Sequence, residues 1–395
     1  MREEKGSGDY VIRVHDDPGQ IDAHDWDSLL DACGAAPFFL RHAYLLALHR
    51  SGSAVADTGW LPQFLTAWQG EQLRAAVPLY LKSHSYGEYV FDWAWADAHE
   101  RHGLAYYPKL IAAIPFTPVP GPRLLAFDTA GRLALLRGLH ELVTQGELSS
   151  AHLLFLSETD RAAADALGWL LRSTVQFHWH NRTSEPYGDF GEFLAQLQRE
   201  KRKKIAQERR RVAEAGIRFE ALHGAQISRD DWDFFYRCYV GTYRAHRSTP
   251  YLTRAFFDEM AQHLPQHWLM FVAYRGAERI ASSLVGLDPQ QRVAYGRYWG
   301  CVEHIPCLHF EACYYQPLQW CIEQRYLRFE GGAQGEHKMA RGLLPVTTWS
   351  AHWLRHPAFA DAVAHFLQRE GHGIAAYVDE LRERNPFRHA GGLSP

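Results

Sequence analysis

A weak internal repeat constrains this chain more than any other feature of its sequence. Phe64-Leu65-Thr66-Ala67-Trp68-Gln69-Gly70-Glu71 is echoed by Phe271-Val272-Ala273-Tyr274-Arg275-Gly276-Ala277-Glu278. Each is followed by an apolar, strand-like run, Leu73 to Leu81 and Ile280 to Leu287. A third run then ends in tryptophan, Tyr89 to Trp95 in one half and Val293 to Trp299 in the other. The offset holds near about 205 residues, as duplication of a domain requires; the alternative is a chance match of short β-hairpins. Read as a repeat, each half is three antiparallel strands followed by helix and strand units, which makes a mixed α/β chain. At 395 residues each half can bury its own core. In the first half, helices are expected over Leu133 to Gln145 and Arg161 to Leu170, with strands at His152 to Leu156 and Thr174 to Trp179. In the second, helices are expected over Phe190 to Ala215, Asp230 to Arg244 and Thr253 to His263. A three-strand meander, Trp268 to Trp299, then leads to a helical segment from about Leu308 to Gln324, which Pro317 should kink or interrupt. Asn181 to Asp189, with Pro186 and Gly188, is the expected linker, dividing the chain into domains 1–182 and 183–395.

Composition narrows the class. With 47% hydrophobic and 22% charged residues the chain is an ordinary folded protein, and extensive disorder is excluded. No apolar run approaches the roughly 18 residues of a membrane span. The first twenty residues hold no stretch that could act as a signal peptide, so a cytoplasmic location is expected. The six cysteines (33, 238, 301, 307, 313, 321) form no Cys-x-x-Cys pair, which favours free thiols over zinc ligation or a disulfide scaffold. No metal site is expected.

The densest chemistry lies in Glu330-Gly331-Gly332-Ala333-Gln334-Gly335-Glu336-His337-Lys338-Met339-Ala340-Arg341-Gly342, straight after the apolar run Tyr326 to Phe329. Glycine at that density lets a backbone approach a ligand or take positive φ, and the ionisable cluster can bind and transfer protons. If a helix begins near Glu336, its free N–H groups face an anion, with Gln334 and Gly335 beside it. Lys338 and Arg341 could hold a phosphate or a developing oxyanion, and Glu336 and His337 could take a proton from an attacking amine. The alternative is a tight turn whose charges face water.

Other candidates surround it. In Tyr295-Gly296-Arg297-Tyr298-Trp299-Gly300, Tyr295 and Arg297 could bind substrate; alternatively this is a meander strand with its aromatics in the core. His309 reads as a buried histidine near a pocket, and Glu311 as another possible base. In the first half, aromatic and proline density around Phe91 to Ala98, Tyr106 to Lys109 and Ile114 to Pro122 suits a rigid pocket wall, with Asp92 and Lys109 as its polar groups. Core packing explains these equally well. Net charge is −3, yet Arg199 to Arg211 holds eight basic and two acidic residues, a local +6 that leaves −9 for the rest. On a helix, Lys201, Arg202, Lys203, Lys204, Arg209 and Arg210 spread over several faces, as a polyanion partner would need; a solvated basic face is the alternative.

The glycine-rich segment, Tyr295 to Gly300 and Leu308-His309-Phe310-Glu311-Ala312-Cys313-Tyr314-Tyr315 together resemble the FemAB-like family of N-acyltransferases, over nearly the whole chain. That family is grouped with peptidoglycan bridge aminoacyltransferases and the wider GNAT fold. The resemblance implies tandem GNAT-like domains, transfer of an acyl or aminoacyl group to an amine, and a co-substrate donor with no tightly bound cofactor. The acceptor would be an amine-bearing small molecule or a cell-wall precursor, and the donor aminoacyl-tRNA. An acyl-CoA-dependent N-acetyltransferase, or a non-catalytic binder of RNA or cell-wall precursor, are the other readings. Acetyl-CoA-dependent relatives cradle pyrophosphate on a Gln/Arg-x-x-Gly-x-Gly/Ala loop. Here Arg297-Tyr298-Trp299-Gly300-Cys301-Val302 ends in a β-branched residue, which counts against CoA.

Overall fold

A computed structural model describes residues 10–333 and 335–388. The chain divides into two compact units, one made of residues 1–174 and 348–373, the other of 175–347 and 374–395.

The first unit is built from β1 (Val11–His15), α1 (Ala23–Ala32), α2 (His42–Arg50), β2 (Trp60–Pro62), β3 (Phe64–Gln69), β4 (Gln72–Val77), β5 (Leu79–Lys82), α3 (Trp93–Arg101), β6 (Lys109–Ala112), β7 (Leu125–Ala126), α4 (Thr129–Gln145), β8 (Ser150–Leu153), α5 (Glu158–Ala166) and the start of β9 (Leu170–His180). The β3–β4 hairpin of the repeat is present, flanked by β1 and β7 in a four-stranded sheet. The apolar run Leu73 to Leu81 is not one strand. Pro78, which cannot donate to a ladder, separates β4 from β5, and β5 pairs instead with β2 and β6. The third run differs more: Trp93 begins helix α3 where a strand was expected. Alanines 94, 96 and 98 favour helix, and Trp95 and His99, four apart, are the positions that bury.

The second unit continues with α6 (Phe190–Gln196), α7 (Arg199–Glu214), β10 (Ile217–His223), α8 (Arg229–Ala245), α9 (Arg254–His263), β11 (Trp268–Arg275), β12 (Glu278–Asp288), β13 (Val293–Cys301), a short turn α10 (Leu308–Phe310), α11 (Gln316–Glu323), β14 (Arg328–Ala333), β15 (Leu344–Leu354) and α12 (Pro357–Glu383). Its strand order is β10-β11-β12-β13-β14-β9. The meander β11–β13 is antiparallel as expected, and β14 joins β13 in parallel. Phe177, Trp179, Phe193, Ile205, Phe271, Leu318 and Phe329 are among the side chains of its core. The expected continuous helix over Phe190 to Ala215 is two helices, broken at Leu197–Gln198. Pro317 sits in the first turn of α11, directly after a π turn at Glu311–Tyr315. An α-helix would need the N–H of residue 317 for the carbonyl of Cys313, and proline has none, so the wider turn is the local solution.

The division after residue 182 expected from the linker differs from these units. The switch falls inside β9, between Thr174 and Val175, and residues 348–373 return to the first unit. Asn181 to Asp189 belongs wholly to the second, anchored by the Asn181 side chain, which accepts from the N–H of Tyr187 and donates to the Tyr326 carbonyl.

Candidate functional site

Strands β13 and β14 pair over only three residues, Val293 with Arg328, Ala294 with Phe329 and Tyr295 with Glu330. Past that point they are no longer bonded to each other, and a cavity of roughly 180 Å³ opens there. Gly296, Arg297, Tyr298 and Trp299 line it from β13, Phe329 and Gly331 from β14, Ser283 to Val285 from β12, and His309, Cys313, Tyr314 and Lys338 close it. The register between β12 and β13 slips at this level: Leu284 faces Tyr298 and Val285 faces Gly296. Arg297 is therefore the extra residue of a β-bulge, a device that re-aims a side chain. Its guanidinium donates to the Tyr298 hydroxyl at 3.0 Å.

Of the glycine-rich segment, Gly331 and Lys338 line this cavity, and Lys338 is the ionisable one of the two. The segment does not start an α-helix; Glu336–Arg341 is a tight 3-10 turn set between two left-handed glycines, Gly335 and Gly342. At Gly335, with φ of +96°, a Cβ would stand 2.6 Å from the His337 ring, so this position serves the backbone of the turn. Lys338 is buried, donates to the Gly332 carbonyl at 3.3 Å, and burial draws its ammonium down to about 8. Burial first, then electrostatic repulsion from His337, Arg341 and Lys338, lowers His309 to about 4, so its imidazole is neutral near pH 7. His309 stands edge-on to Trp299 and Tyr314.

Several expected site residues lie elsewhere. Glu336 is exposed and accepts from Tyr377 at 2.8 Å and Arg384 at 3.1 Å, away from the cavity lining. His337 is exposed behind it and shares a 3.1 Å hydrogen bond with the Tyr314 hydroxyl; it does not line the cavity but holds a residue that does. Arg341 is buried against Glu208 at 3.0 Å with its guanidinium over the Phe310 ring, which ties the turn to α7. Glu311 is buried and paired with Arg209 at 3.1 Å, and Gln316 donates to the same oxygen. Tyr295 is buried beside Glu330, and burial first, then that carboxylate, pushes its phenol well up. Gln334 lies outside the described residues. Residues 297–301 are strand, not a pyrophosphate loop. Gly300 is there for α8: a Cβ would come 2.1 Å from the Cys238 carbonyl oxygen.

Asp92 and Lys109 form a closed cluster in the first unit. The Lys109 ammonium, fully buried, donates to Asp92, to Glu88 at 2.9 Å and to Ser85 at 2.9 Å, and the Tyr106 hydroxyl donates to Asp92 at 2.5 Å. Burial works to raise Asp92, but Lys109 draws it down to about 2, while burial holds Glu88 up at about 7. This is the packing reading of the aromatic-rich wall.

Helix α7 carries the basic run. Ile205, Glu208 and Val212 face inward, Lys203, Lys204, Arg210 and Arg211 are exposed, and Lys201 and Arg202 are half-buried. Arg209 is not available to a phosphate, being held by Glu311 and Gln319. Sequence reasoning missed Ser283, Cys313 and Tyr314. Ser282-Ser283 inside the apolar β12 was a usable signal: Ser283 donates to the Ala312 carbonyl at 2.6 Å and ties the π turn to the strand. Among the described residues no cluster of three or more His, Cys, Asp or Glu could hold a metal. No helix among them is long and apolar enough to cross a membrane.

A sequence profile of the FemAB-like family, described as peptidoglycan biosynthesis/recognition, matches residues 18–389. No curated protein matches the sequence. Among solved structures, FemX is similar at 9% identity over 87% of this chain and 98% of its own, with a TM-score of 0.52. L-PGS from Bacillus licheniformis is similar at 12% identity over 88% of this chain and 97% of its own, with a TM-score of 0.52. The C-terminal domain assigned to a lysylphosphatidylglycerol synthetase from Agrobacterium fabrum is similar at 12% identity over 87% and 96%, with a TM-score of 0.50. At such identities the likeness is one of fold. The mixed α/β architecture is the one expected from the sequence.

Proposed function

This chain belongs to the FemAB-like family, and on that footing we propose that it is an N-acyltransferase, moving an acyl or aminoacyl group to an amine of a cell-wall precursor or smaller acceptor. The observation that carries this reading is the cavity where β13 and β14 part, with Arg297 aimed by a bulge and Lys338 buried beside it. An amine lone pair adds to the donor carbonyl, the carbonyl oxygen becomes an oxyanion, and collapse expels an alcohol or thiol while the nitrogen loses a proton. In this reading the Lys338 ammonium and the Arg297 guanidinium stabilise that oxyanion in a partly dehydrated site. Neutral His309 can accept a hydrogen bond from the incoming amine.

The donor proposed is aminoacyl-tRNA, supported by the exposed cations of α7, whose spread suits a phosphate backbone. An acyl-CoA donor is the second reading, supported by the opening between two parallel strands, where a thioester could lie against the backbone of β13 and β14. The test is amide formation by the purified protein with aminoacylated tRNA or with CoA thioesters, using a lysine-bearing peptidoglycan stem peptide as acceptor. Product from the tRNA donor, inhibited by added salt, supports the first reading. Product from CoA thioesters alone transfers the proposal to the second. A folded protein that makes amide from neither would sink the acyltransferase reading.

A further inference from the structure

Acyl transfer leaves a proton on the attacking nitrogen, and the groups placed so far at the cavity cannot hold it. His309, kept at about 4 by burial, is too weak a base, and Lys338 serves as an ammonium. Of the neighbouring carboxylates, Glu336 is exposed, Glu208 is held by Arg341, and Glu311 by Arg209. Glu330 differs from them in position. It is the last residue of β14 bonded to β13, opposite Tyr295, at the point where the strands part. It stands between Phe329 and Gly331, which both line the cavity, and a Cβ on Gly296 would come 3.5 Å from its carbonyl oxygen. Its side chain lies on the strand face opposite Phe329, and a gap between two strands is open to both faces of a sheet.

The Glu330 carboxyl is buried, with one oxygen on Arg328 at 2.9 Å and the other, Oε2, without a hydrogen-bond partner among the described residues. Burial holds it at about 7, against the pull of Arg328 and then of Arg297, a residue of the lining. Tyr295 on β13 and His178 on β9 are its register partners; burial keeps that histidine neutral, at about 3.

Resting on the acyltransferase reading, we infer that the Glu330 carboxylate receives the proton of the attacking amine and passes it to the departing group. A neutral amine forms the C–N bond with its lone pair while the carbonyl π pair moves onto oxygen. Glu330 Oε2 takes one N–H proton, which leaves the nitrogen uncharged. The oxyanion re-forms the carbonyl, the C–O or C–S bond to the donor breaks, and the alkoxide or thiolate takes the proton from Glu330. The carboxylate is restored, and the products are an amide and an alcohol or thiol.

The test is the ratio of kcat/KM for the unmodified protein to that for Glu330→Gln, followed from about pH 5 to about pH 8 with the donor that gives amide. The acceptor's own amine titrates equally with both proteins, so the ratio isolates the carboxyl. It is expected to be about 10²- to 10⁴-fold above pH 7 and to fall about tenfold per pH unit below it. Glu330→Asp should keep that pH dependence, and Glu336→Gln should match the unmodified protein. Near-ultraviolet circular dichroism checks that each variant is folded. A ratio that is large but the same at every pH makes Glu330 a structural support and overturns the inference, as does a ratio near one. A pH-dependent loss in Glu311→Gln in place of Glu330→Gln overturns it too. In each of these cases amide is still made, so acyl transfer stands; no amide from the folded, unmodified protein removes both readings.

Discussion

At the scale of single residues, two buried ionisable groups in the second unit make opposite statements about pH. Lys338 is held down to about 8 by burial. If its ammonium stabilises the oxyanion, activity falls as pH rises through about 8, because the group then loses its charge. Lys338→Arg should keep activity at pH 9, since a guanidinium stays protonated, and Lys338→Met should lower kcat by about 10² to 10³. A rate that climbs through pH 8 in the unmodified protein and is flat in Lys338→Met would instead make the neutral amine a base. Glu330 is raised to about 7 by burial, against the pull of Arg328. A carboxyl raised on folding contributes stability that is present below its unfolded value near 4.5 and is lost as pH climbs through 7. Glu330→Gln removes that dependence, so its stability relative to the unmodified protein should improve by about 3 kcal/mol between pH 4 and pH 8, measured by urea denaturation. Lys338 was legible in the sequence because its segment crowds charge among glycines. That Glu336, His337 and Arg341 support the fold around it was not, since which way each points depends on Tyr377, Tyr314 and Glu208, far away in the chain.

At the scale of elements, the basic helix divides into two roles that composition could not separate. Lys203, Lys204, Arg210 and Arg211 face solvent, while Arg209 is spent on Glu311 and Gln319. Changing the four exposed cations to glutamate should weaken tRNA binding and flatten its log–log salt dependence by about 3, near 0.7 for each phosphate no longer neutralised. Arg209→Ala should leave that slope alone and destabilise by about 1–3 kcal/mol through the stranded Glu311 carboxylate. A filter-binding titration at several salt concentrations, beside a thermal melt, checks both. The periodic elements were readable: the meander, α4, α8 and α9 follow from hydrophobic pattern and turn residues alone. The misread stretch, Tyr89 to Trp95, shows the limit. Its alternating aromatics look like a strand, but Asp92 is claimed by Lys109 and the alanines carry the chain onward as helix α3. The π turn is a similar case: Pro317 announced an irregularity, and the hydrogen bond from Ser283 to the Ala312 carbonyl, which holds the turn against β12, was not readable from the local sequence.

At the scale of the whole molecule, the two hairpins were visible in the sequence, but the division of the chain into units was not, because a composition shift marks flexible linkers and the switch lies inside a strand. The first unit is completed late. Leu354, Val363 and Leu367 pack with Trp95 and Tyr106, the His352 ring shares a 2.8 Å hydrogen bond with His152, and Glu370 holds Arg172 at 2.7 Å. A fragment ending at residue 182 lacks all of these and should show no cooperative thermal transition by near-ultraviolet circular dichroism; a sharp transition would mean that the late segment is an accessory. The same feature bears on how the protein is made. A ribosome releases the amino end first, and most multidomain chains use that head start to finish one domain before the next emerges. Here the leading half must wait, with its apolar faces open, until residue 373 has left the exit tunnel. The first unit is therefore expected to mature only after most of the second has been made, which ties the two into one order of synthesis.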